Sequence, residues 1–438
     1  MGSMGANTLL DCAVVGAGIA GLGAAIALRR AGHDVSIYEK SSFKNEIGAA
    51  ITMTPNSNLI LNHWGFDAKK AGETLKKQWR RVDPHTLELD IPPIDYTNVS
   101  EKYGHNFNAF HRVDMHEEMR RLAIEAGAQI KLGKHAVKLD CEKGILTFGD
   151  GESVQKDLVV IADGIKSKFV KTVCGEDIIS GKTGRSIYRT LIPMDRLMAD
   201  PAIRPMFENQ GSGFVTTIDR KTGVFLMCYP CRNDEIMNLA VVHHTKPHQA
   251  DAEDWSSPAT IEDCLEVIPD INPFWHAIIK HAPTMKCYVI GQRDILPRIV
   301  NGKVAIIGDA AHPMQPTHAQ GGSMGLEDAA TLEVFFANWG REDSVEKRLD
   351  LFNQFRLPRD NVTQLFSNAM MYYNKGEVLE KVRKYWKGEL LSQDAYGWNE
   401  PIQEYFYPYD VYKEAEKALQ YKDMEGGIPE GAIQHFLR

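Results

Sequence analysis

Gly16-Ala-Gly18-Ile-Ala-Gly21 lies between a short apolar run, Leu9 to Val15, and an Ala- and Leu-rich stretch, Ala20 to Ala31. No other feature restricts the fold of this chain as tightly. The apolar run is rich in β-branched residues and reads as a buried strand. The second stretch reads as a helix that Gly32 stops, and Val35 to Tyr38 reads as the next strand. Together they make one βαβ unit. Gly16 permits the tight turn, Gly18 lets backbone N–H groups approach a pyrophosphate, and Gly21 lets helix and strand pack closely. The helix start stabilises anionic phosphates. Glu39 follows Gly21 by eighteen residues, where it can accept two ribose hydroxyl hydrogen bonds and repel a 2′-phosphate. The motif calls for an adenine dinucleotide and leaves FAD or NAD open.

Two later segments repeat the strand-to-turn theme. Leu158-Val-Val-Ile-Ala162-Asp163-Gly164-Ile-Lys-Ser167 is a buried strand ending in Asp-Gly. Gly308-Asp309-Ala-Ala-His312-Pro-Met-Gln-Pro316-Thr-His318-Ala-Gln-Gly321-Gly322 follows the apolar run Lys303 to Gly308 and opens a helix on paired glycines. That is a second helix start able to hold an anion. Two helix starts and two acids at strand ends imply one long anionic ligand with two halves, ribityl and adenosyl.

The chain has 438 residues, too many for one simple core, and two interleaved domains with a C-terminal extension are expected. A net charge of −8 argues against non-specific nucleic-acid binding. No apolar run reaches a bilayer span, and the N-terminus lacks a signal-peptide pattern, so a cytoplasmic protein, monomer or homodimer, is expected. Seven scattered cysteines make no disulfide framework. Cys228 and Cys231 read as two cysteines at a strand end, since a zinc site needs two further ligands. His243 and His244 are adjacent on a strand and face opposite ways, which rejects a shared metal. Asp114 to Ala126 reads as a helix with a capping box, Asp114 with Glu117. Residues 183–245 alternate apolar and polar, an antiparallel sheet with one wet or ligand-facing side. Long helices are expected over 320–337 and 344–372, and the tail from Gly376 is expected on the outside.

The three segments, in this order and spacing, resemble the class A flavoprotein monooxygenases with the para-hydroxybenzoate hydroxylase fold, and within them the fungal salicylate-hydroxylase-like branch of secondary metabolism. The resemblance covers about residues 9–375. It implies an α/β fold: a Rossmann-type FAD-binding domain (1–180 and 285–375) interleaved with an antiparallel-sheet substrate domain (181–284, joined by about 75–110). A helical extension, 376–438, would follow. It implies that Gly16, Gly18, Gly21 and Glu39 hold the ADP half of FAD, and that Gly48 and Ala49 lie by the flavin. Arg112 would bind the phosphate or ribityl region, Asp309 the ribityl chain, and Pro316 would sit beside the isoalloxazine. Backbone N–H groups of Gly321 and Gly322 would meet the ring edge, and Asp163 would join a network used for both FAD and the nicotinamide cofactor.

Arg189 and Tyr229 occupy positions where some fungal phenol hydroxylases place substrate-binding residues. A guanidinium would hold a phenolate, a better nucleophile than a phenol, and a tyrosine could complete the contact. The implied reaction consumes NADPH or NADH, bound transiently because no second G-x-G-x-x-G is present. Through a flavin C4a-hydroperoxide it inserts one atom of O2 into an aromatic small molecule. Phenolic polyketides or benzoates come first as substrates, then indoles, then terpenoid alkenes for an epoxidase. A reductase or oxidase of the same superfold, or a carrier that has lost flavin, are the rival readings. Ser323 stands where many relatives have Asn, Thr317-His318 replaces another common pattern, and Val170 replaces a common arginine. The first two border the substrate side, so specificity does not carry over. His318 could relay a proton or fill the pocket wall, and the wall is preferred.

Overall fold

The computed structural model describes residues 9–43, 49–249, 257–369, 375–388, 391–392, 395 and 397–437. Gly48 lies outside them. The glycine-rich βαβ unit forms as its pattern dictates: strands Asp11–Val15 and Asp34–Glu39 run parallel, with helix Ile19–Arg30 between them. Strand Leu158–Ile161 pairs parallel on the other side of Asp11–Val15, and Val304–Ile306 pairs parallel with Leu158–Ile161. Gln129–Leu132 and Val300–Asn301 complete a six-stranded sheet at its two edges. Both motifs that follow the first therefore emerge at the same sheet edge as Gly16. The cause is parallel pairing of Asp34–Glu39, Asp11–Val15, Leu158–Ile161 and Val304–Ile306, which brings their carboxyl ends together.

The second helix start locks to the first by close approach. A Cβ at Gly308, whose φ is 58°, would lie 2.7 Å from Ala20 Cβ, and one at Gly325 would lie 2.9 Å from it. Helix Gly321–Phe336 thus packs directly on helix Ile19–Arg30, and glycine is the residue that permits it. Helix Val345–Ala369 covers the same layer and runs through Pro358.

An eight-stranded sheet forms the second layer, and it includes Gln78–Arg81 and Ile94–Asp95 beside strands from Gly181 to Gln292. Its central strands are Gly181–Pro193, Gly213–Asp219, Val224–Cys231 and Ile236–His244. Register sorts their side chains. Tyr188 pairs with Val241 and Leu226 pairs with Val241, so these point to one face, packed on helix Pro273–Lys280. Arg189 and Met227 both pair with Ala240, and Tyr229 pairs with Asn238; these share the opposite face. Asn238 Oδ1 accepts a hydrogen bond from Ala50 N at 3.4 Å, which ties that face to strand Ala50–Met53.

Three expectations are corrected. Helix Arg112–Glu125 starts two residues before Asp114, with His111 as N-cap and no side-chain cap. Asp114 instead takes both Arg232 Nε and Nη2 at 2.6 Å, a bidentate pair across to the second sheet that draws it away from capping. The C-terminal segment is not merely external. Its Trp386, Trp398 and Tyr407 are buried with Phe107 and Phe214 in an aromatic core between the layers. His318 also departs from its expected place, as described below. Among the described residues, no helix is long and apolar enough to cross a membrane.

Candidate functional site

A cavity of about 760 Å³ lies between the layers, within the size range of small-molecule and cofactor sites. One end is the glycine-rich edge. Gly18, Ile19 and Ala20 line it, and no atom lies within 4 Å of the Cβ position at Gly18. Helix Ile19–Arg30 has no side-chain cap, so its first N–H groups face the cavity without a side-chain acceptor. Gly321 and Gly322 line the same cavity at the start of a second helix without a side-chain cap. Gly16 and Gly21 do not line it. A Cβ at Gly16 would lie 2.5 Å from Ala162 O, and one at Gly21 would lie 2.0 Å from Gly16 O, so these two shape the turn.

The acids at the strand ends are held in distinct ways. Glu39 accepts from Ala17 N at 2.8 Å and Ser41 N at 2.7 Å, which leaves further lone pairs on both oxygens. Asp309 lines the cavity, and burial raises its pKa, opposed by His312, Arg112 and Arg293. Asp163 lies behind the lining; burial raises its pKa against a hydrogen bond from Ser167. Its Oδ1 is buried with no hydrogen-bond partner. Arg293, missed in the sequence, joins the two turns: Nη1 donates to Ala310 O at 2.5 Å and Nη2 to Ile165 O. Arg112, Ala49 and Pro316 line the cavity. An uncapped helix start open at Gly18, a second at Gly321, and strand-end carboxylates with spare lone pairs, Glu39 buried and Asp309 facing the cavity, fit an elongated ligand with a pyrophosphate and hydroxyls, as FAD is.

The other end is roofed by the second sheet. Arg189 and Tyr229 both line it, on the same sheet face. The Arg189 guanidinium lies 5.7 Å from the Tyr288 ring centroid, and its Nε is buried with no hydrogen-bond partner. Burial pushes the Tyr229 phenol up to about 12, against Arg189 and a hydrogen bond with Thr52. It is therefore a neutral donor at physiological pH. Phe214 and Trp398 complete the wall, stacked at 4.5 Å and 17°. Met227 and Ile187, two residues before Tyr229 and Arg189, share their face, and the period of two could have identified them. Nothing local identifies Trp398.

His318 does not line the cavity. It is buried behind it, with its ring centroid 5.9 Å from that of Phe406, a residue of the C-terminal segment. Burial pushes its pKa down to about 3, and its Nε2 has no partner. The imidazole thus sits behind the cavity wall and does not line it. Cys228 and Cys231 are buried free thiols, each pushed up to about 12 by burial, as suits inert strand residues. His243 is buried and His244 exposed, on opposite faces.

The family model described as FAD binding domain matches residues 10–366. An FAD-dependent monooxygenase of Aspergillus candidus, cfoG, is 32% identical, over 94% of this chain and 96% of its own length. Hispidin-3-hydroxylase of Neonothopanus nambi is 31% identical, over 94% and 96%. Among solved structures, CtdE in complex with FAD and a substrate superposes with a TM-score of 0.78 at 22% identity, covering 94% of this chain and 98% of that one. A salicylate hydroxylase substrate complex gives 0.73 at 21%, covering 93% and 97%. These two show the shared fold.

Proposed function

From the premise that this chain belongs to the FAD binding domain family, and is an FAD-dependent monooxygenase of class A, we propose its reaction. It inserts one oxygen atom of O2 into an electron-rich ring of a small phenolic guest, at the expense of NADPH or NADH, in the making of a secondary metabolite. One observation carries the reading: a single cavity joins two uncapped helix starts to an arginine and a neutral tyrosine under an aromatic roof. Bound FAD would supply hydride acceptance and oxygen activation.

The chain's own residues would do the rest. N–H groups at Gly18 to Ala20 would hold the pyrophosphate, with Arg112 beside it, and Asp309 would accept from ribityl hydroxyls. Gly321 and Gly322 would present N–H groups to the ring edge, with Ala49 and Pro316 alongside. Gly16 and Gly21 would shape the turn, Glu39 would accept from ribose hydroxyls, and Asp163 would steady the network behind. The Arg189 guanidinium would hold the guest as its phenolate, which enriches the ring carbon to be attacked. Tyr229 would donate a hydrogen bond to the same oxygen. Phe214, Trp398 and Tyr288 would exclude water while the reaction runs.

The test is oxidation of NADPH against a panel of phenols and indoles under ¹⁸O2. One labelled oxygen in the product supports the proposal; hydrogen peroxide alone, with no labelled product from any guest, overturns it. Arg189→Leu should lower kcat on a phenol by about 100-fold or more while FAD stays bound. Full activity in that variant would sink the phenolate role.

A further inference from the structure

Lys76 lies where the chain passes from strand Thr74–Leu75 to strand Gln78–Arg81, and it is 2% exposed. It does not line the cavity. Its Nζ donates to Pro230 O at 2.6 Å and sits 5.2 Å from the Tyr229 ring centroid and 5.6 Å from that of Phe214. Both rings line the cavity, so the lysine backs its wall. Among the described residues no carboxylate lies within ion-pair reach of Nζ; Asp234 acts only at longer range. An apolar side chain of similar length would fill this site with far less desolvation.

We infer that Lys76 is a positioning residue: its ammonium clamps the Pro230 carbonyl and the face of Tyr229, and its charge sets how strongly Tyr229 donates to the guest. The inference rests on the proposed role of Tyr229, and its first readout needs no guest. A cation over a phenol ring withdraws charge toward itself and favours the phenolate, which strengthens the hydroxyl as a donor. Burial pushes Lys76 down to about 7, opposed by Asp234 and Cys231, so this charge is lost near neutral pH. Cys231, Tyr229, His111 and the Asp114–Arg232 pair also face this site. The Cys231 and Tyr229 groups are pushed up to about 12, burial lowers His111, and Asp114 is paired with Arg232.

The experiment is NMR of the holoenzyme carrying ¹³Cζ-tyrosine, with the Tyr229 resonance assigned by its loss in Tyr229→Phe. In the parent protein this resonance should shift with a midpoint near pH 7. It should stop titrating in Lys76→Met and stay at the low-pH position in Lys76→Arg. For any phenol that is turned over, Lys76→Met should raise KM about tenfold more than it lowers kcat. A Tyr229 resonance flat from pH 5.5 to 9 in the parent overturns the inference. So does the same titration in Lys76→Met. If that variant fails to fold, the parent and Lys76→Arg decide alone. Failure of the phenol assay with the NMR titration intact would refute the proposed reaction while leaving the Lys76–Tyr229 coupling standing.

Discussion

Replacing Arg356 by methionine removes one guanidinium from three carboxylates at once. Nε bonds Asp328 at 2.9 Å, Nη1 bonds Glu327 at 2.9 Å, and Nη2 bonds Asp360 at 2.7 Å, all essentially without solvent contact. Arg359 still compensates Glu327, and His312 lies 2.7 Å from Asp328. Burial disfavours the charge on His312, but Asp360 and Asp328 outweigh it and hold its pKa up. Asp360 is then the charge left over. Breaking a buried pair from one side costs about 3–5 kcal/mol, against little gained from the methionine. For a chain of 438 residues that is a fall in Tm of roughly 3–5 °C. The pH dependence follows from Asp360, whose pKa burial already raises above its ordinary value despite Arg356. A carboxyl raised in the folded state contributes most to stability at low pH, and that contribution is lost as pH rises through the folded value. Removing Arg356 raises Asp360 further, so the deficit should be larger at pH 8 than at pH 6. Adding Asp360→Asn should recover much of it. Differential scanning fluorimetry of the holoenzyme at the two pH values reads both effects, and the ratio of flavin to protein reads the state of helix Gly321–Phe336. A deficit equal at both pH values, or a Tm within about 1 °C of the parent, would refute the charge argument.

Gly21→Ala puts a Cβ 2.0 Å from the Gly16 carbonyl, so the turn must open; the purified variant should carry little or no flavin by its absorbance at 450 nm (roughly). Retention of full flavin would show that the turn can yield. His318→Phe should leave the pH profile of turnover unchanged between about pH 6 and 9, since this imidazole stays neutral there with its pKa near 3. A lost limb in that profile would restore a proton-relay role.

Local pattern carried the cofactor half of the molecule. The expected helices 20–31 and 320–337 appear as Ile19–Arg30 and Gly321–Phe336, and the strands beside them pair as a Rossmann-type sheet. Their signals are steric and short-range: a glycine where a backbone must pass within 3 Å of another leaves its mark at a known offset. The same locality misplaced the Asp114 capping box, because Arg232 competes for that carboxylate from 118 residues away. Alternation in residues 183–245 announced a two-faced sheet but not which face lines the cavity. Pairing settles that, since Arg189, Met227 and Ala240 align only through strand register.

His318 is adjacent in sequence to residues that line the cavity, yet packs on Phe406, which no nearby residue foretells. Trp398 joins the roof by stacking on Phe214, and Lys76 backs Tyr229 from a strand junction far off in sequence. Side chains brought together across 150 residues or more meet because layers pack, and burial then sets their charge and reach. The chain thus spelled out where a dinucleotide could lie. Which walls close the cavity was settled by packing between the two sheets and the C-terminal segment, through contacts that have no period or spacing along the chain.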